Sequence, residues 1–178
     1  CIDNGMPLVM MRAADLGRTG REGVAELNSD SELKGRLEGL RLLCGELMGL
    51  GDVAGKTYPK MCLIAPPAAG GSLCTRCFIP HVCHDAIGVL AAVTVATACV
   101  LPDSIAEGIA SVPAGPVRAL SVAPQNGAFR VALETAPGDS PGDPPRVTRS
   151  ALLRTARLIM RGEVMVPGSI WRPGAAGS

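Results

Sequence analysis

From Ala86 to Leu101 the chain runs without a charged residue, and this run restricts the possible folds more than any other feature. As a helix it would reach roughly 24 Å, short of the about 30 Å hydrocarbon core of a bilayer, and no Lys or Arg flanks it as an anchor. Asp85 to Val100 is apolar on every face, and Thr94 and Thr97 are placed to bond back to the i−4 carbonyls. The run therefore reads as a helix enclosed by protein on all sides, at the centre of the fold. With 178 residues, 47% of them hydrophobic, the chain can build such an enclosure as one or two domains.

What encloses the helix cannot be aromatic. Phe, Tyr and Trp together number only four, Phe78, Phe129, Tyr58 and Trp171, so Leu, Val, Ile, Ala and Met must fill the core. No platform for stacking bases can be assembled from them, and a net charge of +1 gives no basic footprint, which together exclude a nucleic-acid binder. Seven cysteines, Cys1, Cys44, Cys62, Cys74, Cys77, Cys83 and Cys99, are odd in number and scattered among apolar positions. They are expected to be thiols in a reducing cytoplasm. A first residue Cys1 without a leader-like segment leads us to expect a fragment.

The rest of the chain reads as α+β. Met6 to Ala13 is short, apolar and bounded like a buried strand, and residues 15–28 read as loop with one helical turn. An amphipathic helix follows, with Asn28, Ser29 or Asp30 as N-cap, leucines at 33, 37, 40, 43 and 47, and Gly49 and Gly51 as the stop. Lys60 to Pro66 and Leu73 to Pro80 read as strands joined by a turn at residues 66–71. Val117 to Ala123 and Ala128 to Thr135 read as a hairpin around Pro124-Gln125-Asn126-Gly127. Pro137 to Pro145 reads as a mobile loop. Val147 to Pro167 carries a pattern that fits strand or helix, and strand is the expectation. Residues 168–178 read as a flexible tail.

Three motifs carry potential chemistry. Gly51-Asp52-Val53-Ala54-Gly55-Lys56-Thr57 resembles the end of a P-loop, but its first glycine position is Leu50, a helix precedes it, and Tyr58-Pro59 blocks a helix after it. Cys74, Cys77, Cys83, His81 and His84 crowd eleven residues, but on a strand Cys74 and Cys77 point to opposite faces, so no metal is expected. His84 precedes the apolar helix, whose first N–H groups, around Asp85, Ala86 and Ile87, would carry the positive end of the dipole. Either a carboxylate docks there, beside an imidazole able to bind it or move a proton, or Asp85 or a water caps the helix.

The combination of Cys1-Ile2-Asp3-Asn4-Gly5-Met6-Pro7, Arg12-Ala13-Ala14-Asp15-Leu16-Gly17, Pro59-Lys60, Pro80-His81-Val82-Cys83-His84-Asp85-Ala86-Ile87-Gly88-Val89, Ala96-Thr97-Ala98-Cys99 and Arg154-Thr155-Ala156-Arg157 resembles the PrpF-type isomerases. Within them it is most similar to the 4-oxalomesaconate tautomerases of gallate and protocatechuate breakdown. The resemblance covers about the second half of the family. It implies a diaminopimelate-epimerase-like fold, two similar domains each wrapping a sheet around a central apolar helix, with the active site between them. Residues 1–167 would be the second domain, their final segment returning to the missing N-terminal domain.

The implied reaction is a cofactor-free 1,3-allylic proton shift on a tricarboxylate, with 2-methylaconitate isomerisation, or a non-catalytic domain that binds an anionic metabolite, as alternatives. The family's proton-transferring Lys and Cys would precede Cys1, so the catalytic residues are unknown here, His84 being the one candidate, and the fragment alone is expected to be inactive. Substrate binding would fall to Asn4, Gly5, Lys60, Arg76, His81, His84, Asp85, Ala86 and Ile87. For Lys60 and Arg76 the competing reading is a solvated strand residue. The resemblance further implies no cofactor; no membrane and no nucleic acid are expected from the short uncharged run and the composition, and a homo-oligomer is open.

Overall fold

Each strand pairs with the one before it in the chain. The computed structural model describes residues 1–67, 70–123, 127–140, 142–154 and 156–171. Among them, seven strands form one sheet in sequence order. These are β1 (Ile2–Asp3), β2 (Pro7–Arg12), β3 (Lys60–Ala65), β4 (Leu73–Phe78), β5 (Val117–Ala123), β6 (Phe129–Ala136) and β7 (Arg146–Leu153). The β2/β3 and β4/β5 pairs are parallel and the others antiparallel. Three α-helices accompany the sheet: α1 (Val24–Ser29), α2 (Ser31–Leu47) and α3 (Val89–Val100).

Helix α3 packs against β1 and β2 at one end of the sheet and β5, β6 and β7 at the other, which requires the sheet to curl around it. Its residues Ala91 to Ala98 and Val100 are buried, as the uncharged run demanded. Thr94 and Thr97 do bond back, their hydroxyls lying 3.1 Å from the Leu90 carbonyl and 2.9 Å from the Val93 carbonyl. Around α3 the inner core gathers Leu8, Met10, Cys62, Ile64, Leu73, Cys77, Leu120, Val122, Val131 and Leu133. On the outer face of β2–β4 a second core forms from Val9, Met61, Leu63, Cys74 and Phe78 under Leu27, Leu33 and Leu37 of α1 and α2. Cys74 and Cys77 thus fall in opposite cores, as strand parity requires.

Helix α2 starts where Asp30 accepts the Leu33 N–H at 2.9 Å, and Arg18 Nε steadies the same carboxylate at 2.9 Å. It stops before Gly49, at φ 70°. The expected leucine stripe is only half correct. Leu33 and Leu37 are buried, but Leu40, Leu43 and Leu47 are exposed, because Arg41 and Gly45 continue the inward row at four-residue intervals. At Gly45 a Cβ would collide with the Val53 side chain, so only glycine lets the following loop close on the helix.

Two further expectations need correction. Helix α3 begins at Val89, so Asp85, Ala86 and Ile87 do not supply its first N–H groups; Ile87, 2% exposed, is spent anchoring the incoming chain, and extended Gly88 is the N-cap. Strand β7 ends at Leu153, and Leu158, Ile159 and Met160 are exposed outside any strand. The tight turn expected at 124–126, the middle of the 66–71 turn, Thr155 and most of the expected tail lie outside the described residues; residues 168–170 form a turn.

Candidate functional site

The open end of α3 is where several sequence candidates meet. Gly88 provides no side chain to cap the helix, and the N–H groups of Val89, Leu90 and Ala91 have no intrahelical partner. The Lys60 Nζ, at the start of β3, lies 3.8 Å from where a Cβ of Gly88 would sit. An ammonium beside the positive end of a helix dipole is held among like charges. An anion between them would satisfy both. Among the described residues Lys60 has no carboxylate in ion-pair range, and the two carboxylates paired with arginine nearby in sequence, Asp30 and Glu38, belong to α2 and its cap.

The β1–β2 turn forms the other wall. Gly5 takes φ 90°, and a Cβ on it would touch Leu90 Cδ2 at 3.4 Å, so the turn rests directly on the first turn of α3. Asn4 does not reach outward: its Nδ2 donates to Thr97 Oγ1 at 2.8 Å. The Thr94 hydroxyl lies 3.1 Å from the Met6 carbonyl. These two threonines pin the turn to the helix, and Asn4 acts here as a fastening.

His84 leaves β4 by a hairpin, its N–H donating to the Cys77 carbonyl at 2.9 Å, and its side chain is exposed, as are Asp85 and Ala86. Asn28 clamps the preceding residue from both sides, accepting the Cys83 N–H at 2.7 Å and donating to its carbonyl at 3.2 Å. The route from β4 to α3 is thereby fixed from the outer layer.

Two expected partners lie elsewhere. Arg76 shares the outer face of β4 with Cys74; it is 6% exposed, and its Nε donates to the Glu22 carbonyl at 2.9 Å and its Nη1 to the Thr75 carbonyl at 2.9 Å. His81 turns to α2, with Nδ1 3.5 Å from Glu38 Oε2. The structure therefore groups Gly5, Lys60 and the α3 start, with Asn4 behind them, and places Arg76 and His81 on the other side of the sheet.

Sequence reasoning missed Gly88 as the N-cap, although a glycine interrupting the run was a signal for it. It also missed Arg41. That guanidinium is fully buried and donates to both Glu38 carboxylate oxygens at 2.6 and 2.8 Å, to the Val53 carbonyl at 2.8 Å and to the Tyr58 carbonyl at 3.0 Å. The loop resembling a P-loop end thus turns carbonyls, not N–H groups, towards its centre, where a cation sits. It cannot cradle phosphate.

Among the thiols, burial pushes Cys99 up to about 12 and Cys83 up to about 11. Recesses of about 580 and 520 Å³ lie by Ser72 and Arg130 and at the C-terminal end of α3, away from Lys60. They carry no comparable convergence of charge.

A family model described as PrpF protein matches residues 1–167. The (4E)-oxalomesaconate Delta-isomerase of Novosphingobium sp. (strain KA1) is 50% identical over 165 residues, 93% of this chain and 44% of that protein. The 4-oxalomesaconate tautomerase of Pseudomonas putida (strain KT2440) is 46% identical over 171 residues, 96% of this chain and 45% of that protein. The chain spans less than half the length of these relatives. Among solved structures, that of a methylitaconate-delta-isomerase superposes with a TM-score of 0.64 at 16% identity, covering 82% of this chain and 43% of that one, a likeness of fold.

Proposed function

The chain belongs to the PrpF family, and from that premise we propose that it forms one wall of the active-site cleft of an isomerase acting on a tricarboxylate such as 4-oxalomesaconate. The reaction is a 1,3-allylic proton shift that needs no cofactor: a base takes a proton beside a carbonyl, and the proton returns two carbons away. Such a step passes through an enolate-like state with more negative charge than the substrate, so fixed positive donors lower its energy.

The observation that carries the reading is the Lys60 ammonium set against the uncapped start of α3. Together they would hold a substrate carboxylate, with Gly5 leaving room beside Leu90 and the exposed His84, on the approach to α3, as a further donor. The relatives named oxalomesaconate isomerase and tautomerase support this substrate over 2-methylaconitate. In this reading residues 1–167 are the second of two diaminopimelate-epimerase-like domains, working in the reducing cytoplasm. The proton-transferring pair comes from the other domain, towards which the exposed apolar residues Leu158, Ile159 and Met160 return.

Kinetics on the complete enzyme tests the proposal. Lys60→Ala should lower kcat/KM for 4-oxalomesaconate by about ten- to a thousandfold, Lys60→Arg by less, with unfolding unchanged. Near-normal turnover by Lys60→Ala would overturn it. Faster turnover of 2-methylaconitate than of 4-oxalomesaconate by the unmodified enzyme would reassign the substrate.

A further inference from the structure

Cys62 and Cys77 stand directly opposite each other on the antiparallel β3/β4 pair. The Cys77 carbonyl accepts the His84 N–H, so it points away from β3. Successive pairs in an antiparallel ladder alternate, and this one is therefore of the non-hydrogen-bonded kind, in which Cα atoms approach to about 4.5 Å. Disulfides span Cα separations of about 4.4 to 6.8 Å. Both side chains point to the α3 face, in the same core, at 0% and 2% exposure. Cys83 packs in the other core, on the outer face.

We propose that Cys62 and Cys77 form a redox-active dithiol that a peroxide closes into a cross-strand disulfide. Their surroundings divide the labour. The neighbouring Cys62 thiol and Lys60, two residues from Cys62 on the same face, hold the Cys77 thiol below its ordinary range, while the neighbouring Cys77 and burial hold Cys62 well above it; the Cys62 Sγ–H is directed at the Leu63 carbonyl, at 3.6 Å. Cys77 is accordingly the attacking sulfur. Its thiolate takes the distal oxygen of the peroxide, the O–O bond breaks, and a sulfenic acid and hydroxide result. The Cys62 sulfur then attacks the Cys77 sulfur, expelling a second hydroxide that leaves as water with the Cys62 proton. Two thiols lose two electrons, and hydrogen peroxide becomes two waters.

This site does not depend on the isomerase reading, and its test needs no turnover. The protein with Cys1 and Cys44 replaced by Ser is treated with hydrogen peroxide, denatured, alkylated and mapped by mass spectrometry. Cys62 and Cys77 should be recovered as one cross-linked pair, released by dithiothreitol, while Cys99 is alkylated normally. In Cys62→Ser, dimedone should trap a sulfenic acid at Cys77; in Cys77→Ser, Cys62 should stay reduced. Should a serine variant fail to fold, the map of the parent protein decides alone. Recovery of Cys62 and Cys77 as separate alkylated peptides, or a disulfide joining either to another cysteine, would overturn the proposal.

Discussion

Strands β3 and β4 are buried at nearly every position, whereas β5 buries only Leu120 and Val122 and β6 only Val131 and Leu133, alternate residues on one face. The first pair lies between α3 and the outer layer of α1 and α2; the second has α3 on one side only. A strand covered twice must be apolar throughout or supply partners for its polar side chains, and a strand covered once alternates. Arg76 shows what double cover demands, with its guanidinium on two backbone carbonyls. The Arg130 side chain, on the open face, meets no such demand.

The outer layer is where the contrast should break most sharply. Arg41→Ala would leave Glu38 and the 53–58 carbonyls without their donor, at a cost of about 3 to 5 kcal/mol in urea unfolding. Next in size, Leu63→Ala and Ile64→Ala, adjacent residues on opposite faces of β3, should each cost about 2 to 4 kcal/mol. The same scan through β6 should alternate: Leu133→Ala costs as much, but Arg130→Ala stays within about 0.5 kcal/mol. Equal costs at Leu133 and Arg130 would remove the distinction.

Acid sharpens it further. The Arg41 hydrogen bond holds Glu38 below the usual carboxylate range, and the Leu33 N–H and Arg18 do the same for Asp30. A depressed folded pKa gives stability that is present above the ordinary value and lost as pH falls through the lowered one. The melting temperature should therefore drop below about pH 4, and Asp30→Asn or Glu38→Gln should flatten that drop. Smallest of all is a rate difference: at mild alkaline pH, Cys83 and Cys99, raised by burial to about 11 and about 12, should alkylate far more slowly than exposed Cys1.

Periodicity accounts for what the sequence disclosed. The strands expected from Lys60 and Leu73, the hairpin strands expected from Val117 and Ala128 and the core of the uncharged helix were read from local sequence, and each is found as a strand or helix near its expected place. The misses depend on contacts distant in the chain. Arg41 lies in an inward row because carbonyls twelve to seventeen residues later come to meet it. The first residues of the uncharged run turn a corner before the helix begins, since Ile87 is needed in the core. Arg76 parted from Lys60 because the two point to opposite sides of the sheet, and their register is settled only when β3 and β4 pair.

The sequential strand order bears on how the sheet assembles. Each hydrogen-bonded ladder joins a strand to the one already made, so no gap waits in the interior for a later segment to thread into it. The two slow closures are the parallel ones, since β2 must find β3 across the outer helices and β4 must find β5 across α3. Loss of β7 would break one of the six pairings and leave the other five, a sheet that shortens from its margin before it opens at its heart.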